Sequence, residues 1–405
     1  MMLSASEHLW QVSDQVLIAG AGIGGVACAL ACTRVGLSVA LYEKAEQLSE
    51  VGAGIQLGPN AMRLLQAWDV TPHLSEAIAY PQRLVVRSGT SGRALAQMEL
   101  GSGMVARYGA PYGVVHRADL HRALLQALAR AGGAEPRLGH ALEDFRQSDQ
   151  GVDLRFANHT QANGLALIGA DGIGSRVRQV LLSDGPARPT GHLAYRTLIS
   201  QADLPARLRC DEVVVWLAPG MHVVQYPVRQ GQCLNLVVIV QEQLNADVFD
   251  WDRSGTALDV QRHLHDQCTH LRDLAGTASQ WGLWSLRVRK PLSSPGELVQ
   301  GRVALVGDAA HPMLPYLAQG ASMAMEDAQA LASSLQRACQ SGLGEAAGLQ
   351  AYAIERWARQ SRVQKRSLRN GRIFHARGPV SWGRNLALRV LGQRLLDMPW
   401  LYGQS

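Results

Sequence analysis

The sequence VLIAGAGIGGVACALACTRVGLSVALYE, residues 16–43, decides the fold of this chain. Its apolar patterning predicts a strand over Gln15–Ala19, a helix over Ile23–Val35 and a second strand over Ser38–Tyr42. Between the first strand and the helix stands GAGIGG, residues 20–25, which has the spacing GxGxxG. A strand, a glycine-rich turn, a helix and a strand in this order indicate a βαβ unit that binds a dinucleotide.

Each glycine of this turn has a separate expected task. Gly20 makes the tight turn, Gly22 lets the backbone approach a pyrophosphate, and Gly25 lets the helix and the strand pack closely. The helix N-terminus adds positive potential for the phosphates. Glu43, which ends the second strand, can accept hydrogen bonds from the hydroxyls of an adenosine ribose and would repel a 2′-phosphate. The unit alone does not distinguish FAD from NAD.

Two later segments also carry an acid beside a glycine at the end of an apolar strand. The first is ADGIGSRVR, residues 170–178, which contains Asp171, and the second is RVALVGDAAHP, residues 302–312, which contains Asp308. Asp308 can accept hydrogen bonds from a polyol, and the N-terminus of a helix expected near Ala321 can stabilise negative charge on a reduced ring. These features favour a flavin over a nicotinamide.

The part of the chain between these two segments is rich in strands. The clearest strand patterns are Glu212–Leu217, His222–Val228 and Cys233–Val240. His222 and Tyr226 lie on the same face of an extended strand because side chains alternate with a period of two. A histidine that titrates near neutral pH can act as a base, directly or through such a tyrosine, and this assistance is typically worth about 10²-fold to 10⁴-fold in rate. From spacing alone, the two could equally be ordinary half-buried strand residues.

In their order and separation, these segments resemble the single-component flavoprotein aromatic hydroxylases. That group contains salicylate hydroxylase, 3-hydroxybenzoate 6-hydroxylase and 6-hydroxynicotinate 3-monooxygenase. The similarity covers nearly the whole chain and includes EVGAGIQLGPNA, residues 50–61, and HRADL, residues 116–120. It implies an α/β fold like that of p-hydroxybenzoate hydroxylase, in which a Rossmann-like FAD-binding domain is interleaved with a β-sheet substrate domain and followed by C-terminal helices.

The resemblance also implies the reaction. FAD would be the cofactor and NADH or NADPH the co-substrate, and one atom of O2 would enter a phenolic aromatic acid through a flavin hydroperoxide. The reaction expected first is that of 3-hydroxybenzoate 6-hydroxylase. Decarboxylating hydroxylation of salicylate or 6-hydroxynicotinate, and hydroxylation of a ubiquinone precursor, are the alternatives. A non-enzymatic FAD-binding sensor is disfavoured because the chain retains His222 and Tyr226.

Carried over by position, the resemblance assigns site residues. The FAD ligands would be Gly20, Gly22, Gly25, Glu43, Arg117, Asp171 and Asp308, with Pro312, Gly320 and Ala321 near the isoalloxazine ring. His222 would be the base and Tyr226 its neighbour beside the substrate. The opposite wall of the substrate pocket would contain Pro315, Tyr316 and Gln319. Pro315 departs from the family, because 3-hydroxybenzoate hydroxylases usually carry glutamine there and 6-hydroxynicotinate enzymes histidine. The substrate therefore does not transfer directly.

The expected domains follow the same resemblance. Residues 1–190 would form the first part of the FAD-binding domain, with some strands of the substrate domain near 75–115. Residues 191–290 would form the β-rich substrate domain, 291–345 the second part of the FAD-binding domain, and 346–405 a C-terminal helical segment.

Composition limits the remaining function classes. The 405 residues carry a formal net charge of +6, but the basic residues are scattered, which disfavours nucleic acid as a partner. One basic stretch, residues 356–377, would be a solvated or internally paired face, with contact to anionic lipid as the alternative. The expected partners are a small aromatic substrate, O2 and NAD(P)H, and a homodimer is left open.

The cysteines and the N-terminus predict a cytoplasmic protein. The six cysteines form no CxxC pair or short metal-ligand spacing, so we expect buried thiols without disulfides or a metal. No apolar run reaches the roughly 20 residues that span a bilayer. The segment Met1–Ser13 lacks the basic and apolar pattern of a secretory signal.

Overall fold

The computed structural model describes residues 14–48, 53–242 and 253–403. The interpretation of Met1–Ser13 concerns residues outside this part, and so do Glu50, Val51 and Gly52 of the quoted motif. Within the described ranges, no helix is both long enough and apolar enough to cross a membrane.

The elements alternate between helices and strands through most of the chain. The strands are β1 (Val16–Ala19), β2 (Val39–Tyr42), β3 (Gly54–Leu57), β4 (Arg83–Ser88), β5 (Ala94–Glu99), β6 (Gly113–His116), β7 (Leu142–Gln147), β8 (Val152–Phe156), β9 (Gln161–Gly164), β10 (Ala166–Gly169), β11 (Arg188–Ser200), β12 (Val213–Ala218), β13 (Met221–Val228), β14 (Cys233–Gln241), β15 (Arg253–Thr256), β16 (Gln280–Val288), β17 (Val299–Gln300) and β18 (Val303–Leu305). The helices are α1 (Ile23–Arg34), α2 (Pro59–Ala67), α3 (Ser102–Tyr108), α4 (Arg117–Arg130), α5 (Arg176–Leu182), α6 (Ala257–Leu264), α7 (Thr269–Gly276), α8 (Pro295–Leu298), α9 (Gly320–Gln340), α10 (Glu345–Phe374), α11 (Gly378–Leu391), α12 (Gln393–Leu396) and α13 (Pro399–Tyr402).

A five-stranded sheet with the order β17-β18-β10-β1-β2 forms the first layer. Strands β2, β1, β10 and β18 run parallel, and β17 pairs antiparallel at one edge. Every residue of β1, β2 and β10 is buried, as expected for a parallel sheet covered on both faces. Helix α1 packs between this sheet and the long helix α9. The predicted βαβ unit is therefore present with its glycine turn at the carboxyl end of β1.

An eight-stranded sheet with the order β15-β16-β11-β14-β13-β12-β4-β5 forms the second layer. Strands β4 and β5 come from the N-terminal half of the chain, and β4 pairs parallel with β12. The other pairs in this sheet are antiparallel. The sheet is thus built from two distant parts of the sequence, and β13 and β14 lie near its centre.

The cysteines differ from expectation in one respect. All six are free thiols, but only Cys28 and Cys32 are buried. Cys339 is exposed near the C-terminal end of α9, so the expectation of uniformly buried thiols is wrong there.

Candidate active site

A central cavity of about 290 Å³ is lined by residues of the eight-stranded sheet and by residues that follow strands of the five-stranded sheet. A second cavity of about 280 Å³ lies against the end of β2. Gly22, Ala170 and Gly172 line both cavities, so the two form a continuous cleft along the carboxyl ends of the parallel strands. Ligands of open α/β sheets bind at this end of the strands.

The glycine turn shapes the middle of this cleft. Gly20 has φ +101°, a conformation that favours glycine, and its hydrogen faces the backbone of Ala170. A Cβ on Gly25 would lie 1.8 Å from the carbonyl oxygen of Gly20, whereas a Cβ on Gly22 would meet no atom within 4 Å. Gly22 also begins α1 without a side-chain cap, so the first N–H groups of the helix are available to an anion.

The second cavity contains the two predicted acids at its wall. The Glu43 carboxylate accepts hydrogen bonds from the N–H groups of Ala21 (2.7 Å) and Ala45 (3.0 Å) and lines the cavity. Asp171 Oδ2 accepts from the N–H of Arg176 at 2.7 Å, which anchors the start of α5. Its other oxygen, Oδ1, is buried without a hydrogen-bond partner in the described chain. Burial raises the pKa of Asp171, although its backbone hydrogen bonds act to lower it.

Asp308 follows β18 and lines the central cavity. The side chain is accessible from the cavity yet enclosed by protein, and this burial raises its pKa. Gly307, directly before it, has φ +56° and donates its N–H to Asp327 Oδ2 at 3.2 Å. Asp327 therefore holds the turn that presents Asp308 to the cavity.

Asp327 is the centre of a buried ion-pair network on α9. Its Oδ2 lies 2.5 Å from His311 Nε2, and its Oδ1 accepts from Arg356 at 3.0 Å. Glu326 accepts from both Arg356 and Arg359. The first part of the basic stretch 356–377 is thus internally paired. His311, close behind the turn at Gly307 and Asp308, is held by Asp327.

We expect Asp327→Asn to lower the free energy of unfolding by about 3–5 kcal/mol at neutral pH, because it removes the charge partner of His311 and one of the two carboxylates paired with the buried Arg356. Burial acts to raise the pKa of Asp327, but its partners His311 and Arg356 outweigh burial and bring it to about 2. The stabilisation is therefore present above the unfolded value of about 3.9 and disappears as pH falls toward 2. Urea unfolding at several pH values would measure this, with the exposed Asp211→Asn as control. A gap between wild type and Asp327→Asn that stays constant down to the lowest pH would contradict the assignment.

The eight-stranded sheet supplies the other wall of the central cavity. His222, Val224 and Tyr226 of β13 line it, as their period-two spacing predicts. Val237 and Ile239 of β14 pair with Val224 and His222 and line the same cavity. One face of the sheet thus brings an imidazole, a phenol and several apolar side chains to the cavity.

The Tyr226 hydroxyl is already engaged. It donates a 2.6 Å hydrogen bond to the carbonyl oxygen of Gly54, and burial raises its pKa. Asn235, its partner on β14, accepts from the Gly54 N–H at 2.8 Å. The two side chains fix β3 against the sheet, and the Tyr226 hydroxyl keeps lone pairs that can accept a hydrogen bond.

His222 is almost completely buried, at 1% exposure. Its Nδ1 lies 2.8 Å from Nε2 of His375, at the end of α10. Burial, followed by the nearby His375 and His192, holds the pKa of His222 well below its usual range. The imidazole is therefore neutral near pH 7, which is the state a base requires.

Arg196 on β11 is a site residue that the sequence analysis missed. It lines the central cavity, and its guanidinium lies over the Trp284 ring, 5.0 Å from the ring centroid. Its Nε is buried without a hydrogen-bond partner in the described part of the chain, and burial lowers its pKa. A lone arginine inside the apolar strand LAYRTLI was the available signal. A guanidinium with a buried, unpartnered Nε can accept an anionic group as partner.

The loop before α9 differs in part from expectation. Pro315, Gln319, Gly320 and Ala321 line the central cavity, as does Arg117. Tyr316 does not line it, because its hydroxyl turns to His192 Nδ1. Pro312 is buried behind the cavity wall, where its carbonyl accepts from Gln364. Tyr316, predicted as a pocket residue, therefore lies outside the central cavity, whereas Pro312 directly precedes Met313 of its wall.

Known proteins share this architecture and sequence. The family model described as "FAD binding domain" matches residues 13–367. This chain belongs to that family. It is 36% identical over 391 residues to 3-hydroxybenzoate 6-hydroxylase of Polaromonas naphthalenivorans, covering 96% of this chain and 95% of the relative. It is 34% identical to 3-amino-4-hydroxybenzoate 2-monooxygenase of Streptomyces platensis, covering 98% and 97%.

The fold has a solved counterpart. The structure of Klebsiella pneumoniae HpxO with FAD and uric acid superimposes with a TM-score of 0.83 at 24% identity, covering 96% of both chains. The chain is thus an FAD-dependent aromatic monooxygenase with the α/β fold of p-hydroxybenzoate hydroxylase-like enzymes, and those predictions are confirmed. Relatives with different substrates match over nearly the same length, so the reaction class is shown but the substrate is not.

The residues of this flavoprotein fit FAD. The cleft is continuous past Gly22, where no side chain obstructs a pyrophosphate. Glu43 stands at one end for a ribose, and the start of α9 at Gly320 opens onto the other end without a side-chain cap. Asp171, whose Oδ1 has no hydrogen-bond partner in the described chain, lines the same cavity as Glu43.

We expect Gly22→Ala and Gly25→Ala to separate cofactor binding from folding. Gly22→Ala should leave the stability of the apoprotein unchanged but weaken FAD about tenfold or more, because its methyl group enters the cleft. Gly25→Ala should destabilise the apoprotein by about 1–3 kcal/mol, because the new Cβ overlaps the Gly20 carbonyl. Thermal unfolding of the apoproteins and flavin fluorescence titration measure the two effects. Equal losses of stability in the two variants would rule this division out.

Proposed function

We propose that this enzyme hydroxylates a small phenolic aromatic acid and that 3-hydroxybenzoate, hydroxylated at C6, is its substrate. Bound FAD would take a hydride from NADH or NADPH and supply activated oxygen to the ring. Substrate, O2, NAD(P)H and one proton would give the dihydroxybenzoate, NAD(P)⁺ and water. The protein's own residues must orient the acid, exclude water and move one proton.

The observation that carries the proposal is the buried cation at Arg196. Arg196 lines the central cavity near Tyr226 and Arg117, and its Nε has no hydrogen-bond partner in the described chain. A carboxylate on the substrate would supply that partner and offset the cost of burying the charge. This favours an aromatic acid over an uncharged phenol.

The register of the sheet supports a ring between Arg196 and His222. Arg196 pairs with Val237 on β14, whereas His222 pairs with Ile239. The two polar residues are therefore two strands apart and offset along the sheet by two residues, about 12 Å between Cα positions. Their side chains can engage opposite ends of one small ring, the carboxylate at Arg196 and the hydroxyl at His222.

The remaining lining suits an aromatic ring. Val224, Val237, Ile239 and Met313 line the space beside these two polar residues. Apolar walls keep water from the reacting atoms and bind the ring face. Pro315 adds no hydrogen bond at this wall, so specificity would depend on the two ends of the substrate.

The test is steady-state turnover of the FAD-loaded protein with NADH and with NADPH. Oxygen uptake and product analysis would be compared for 3-hydroxybenzoate, salicylate, 6-hydroxynicotinate and a prenylated phenol, with benzoate as the control that lacks a hydroxyl. We expect 2,5-dihydroxybenzoate from 3-hydroxybenzoate in step with NAD(P)H consumed. Efficient turnover of another acid would replace the substrate, and turnover of the prenylated phenol alone would overturn the acid assignment.

A further inference from the structure

We propose that His222 and His375 form a proton relay that connects the central cavity to a separate, solvent-open cavity further along the same face of the eight-stranded sheet. The proposal rests on the proposed function of His222 as the base. His375 would be a positioning residue, because it touches the base and not the substrate.

This third cavity, here called the rear cavity, has a volume of about 470 Å³. His375 lines it, together with His192 and Tyr316. Gln241 and Arg372 also line it and are exposed, so the rear cavity communicates with solvent. Leu314 lines both the central and the rear cavity and marks the wall between them.

The histidine pair crosses this wall. His222 lines the central cavity, His375 lines the rear cavity, and Nδ1 of one lies 2.8 Å from Nε2 of the other. The nitrogen of His222 left for the central cavity is Nε2. The outer nitrogen of His375, Nδ1, is buried and makes no hydrogen bond to the described chain. Proton transfer through the pair therefore breaks no hydrogen bond between His222 Nε2 or His375 Nδ1 and another group of the described chain.

The transfer balances in three steps. The substrate O–H bond breaks and its proton joins His222 Nε2, while the Nδ1–H of His222 passes to His375 Nε2. The Nδ1–H of His375 then leaves to water of the rear cavity as its ring turns toward that cavity. Both imidazoles end neutral in the opposite tautomer, and the reverse transfer to the product hydroxyl restores them.

The surroundings favour passing a proton rather than keeping it. The titratable and charged groups around the pair are His192, Tyr316, Arg377 and Arg384. Burial, followed by His192 and the two arginines, lowers the pKa of His375 to about 3. No carboxylate among the described residues contributes to either shift. A proton on the pair is therefore held only briefly.

The test follows ionisation of a bound phenol directly and requires no turnover. The probe is 3-hydroxy-4-nitrobenzoate, whose phenolate absorbs visible light, mixed with FAD-loaded protein in stopped flow below the pKa of the free probe. We expect His375→Gln to slow the appearance of phenolate about 10-fold to 100-fold with the dissociation constant of the probe unchanged. Glutamine can still hydrogen-bond His222 but cannot pass a proton.

His270→Gln is the control. His270 is half-buried, and its ring stacks on Trp216, which projects from the other face of the sheet. This variant should ionise the probe at the wild-type rate. In His375→Ala, added imidazole should restore the rate by entering the rear cavity.

Three results would overturn the relay: wild-type ionisation rates in His375→Gln, equal slowing in His270→Gln, or no rescue by imidazole. A wild-type protein that binds the probe without ionising it would also overturn it. If the variants ionise the probe at the expected relative rates but the protein hydroxylates no phenol, the proposed function is wrong and the relay is still supported.

Discussion

His222→Asn is expected to lower kcat for hydroxylation by about 10²-fold to 10⁴-fold, because asparagine can hydrogen-bond but cannot take the substrate proton. FAD binding and the rate of flavin reduction by NAD(P)H should change little, since neither needs this base. Rapid-mixing kinetics can follow reduction and product formation separately. A loss confined to flavin reduction would contradict the role of His222 as base.

The pH dependence provides a second check on His222. Its pKa lies well below the usual value because of burial and the neighbouring histidines. The neutral, competent form therefore persists as pH falls through the usual range of histidine, and kcat/KM should decline only at lower pH. His270, half-buried beside Trp216, is a matched control, and His270→Asn should retain wild-type activity. An acid limb near the ordinary histidine value of about 6.5 would mean that another group limits the rate.

Arg196→Met is expected to lower kcat/KM for an aromatic acid by about 10²-fold to 10³-fold. Losing one partner of a buried charge pair typically costs about 2–5 kcal/mol, and about 1.4 kcal/mol corresponds to tenfold. Methionine keeps much of the side-chain volume, so the effect reports the charge. Arg188→Gln, on the same strand but exposed, is the control and should have no effect.

Ligand binding separates recognition by Arg196 from general damage to the site. The flavin absorbance of the wild type should respond to benzoate at much lower concentration than to benzamide. Arg196→Met should lose this preference while retaining the affinity for benzamide. An unchanged preference would show that the carboxylate binds elsewhere.

The first layer of the fold was predictable because its signals are local. The glycine turn, the apolar strand before it and the acid at Glu43 lie within one βαβ unit. The observed ends of β1, α1 and β2 differ from the predicted ends by at most one residue. The pairing of β4 with β12 was not predictable in this way. It depends on which strand edges meet after the chain has folded, and no short pattern records that.

The candidate site shows the same limit. The shared face of His222 and Tyr226 followed from strand periodicity. The bond between His222 and His375 joins residues separated by 153 positions, and no spacing rule reaches that far. Tyr316 was misplaced because sequence shows that a loop borders a pocket but not which way its side chain turns.

The parallel pairing of β4 with β12 also dictates when the protein can assemble during its synthesis. Leu84 leaves the ribosome long before its partner Val213, a delay on the order of ten seconds at ordinary elongation rates. During that interval the apolar residues Val85 and Val86 of the nascent chain lack the strand that will cover their edge. The eight-stranded sheet can therefore be completed only after β12 has been synthesised, and until then the edge of β4 that β12 will cover is open to pairing with other chains.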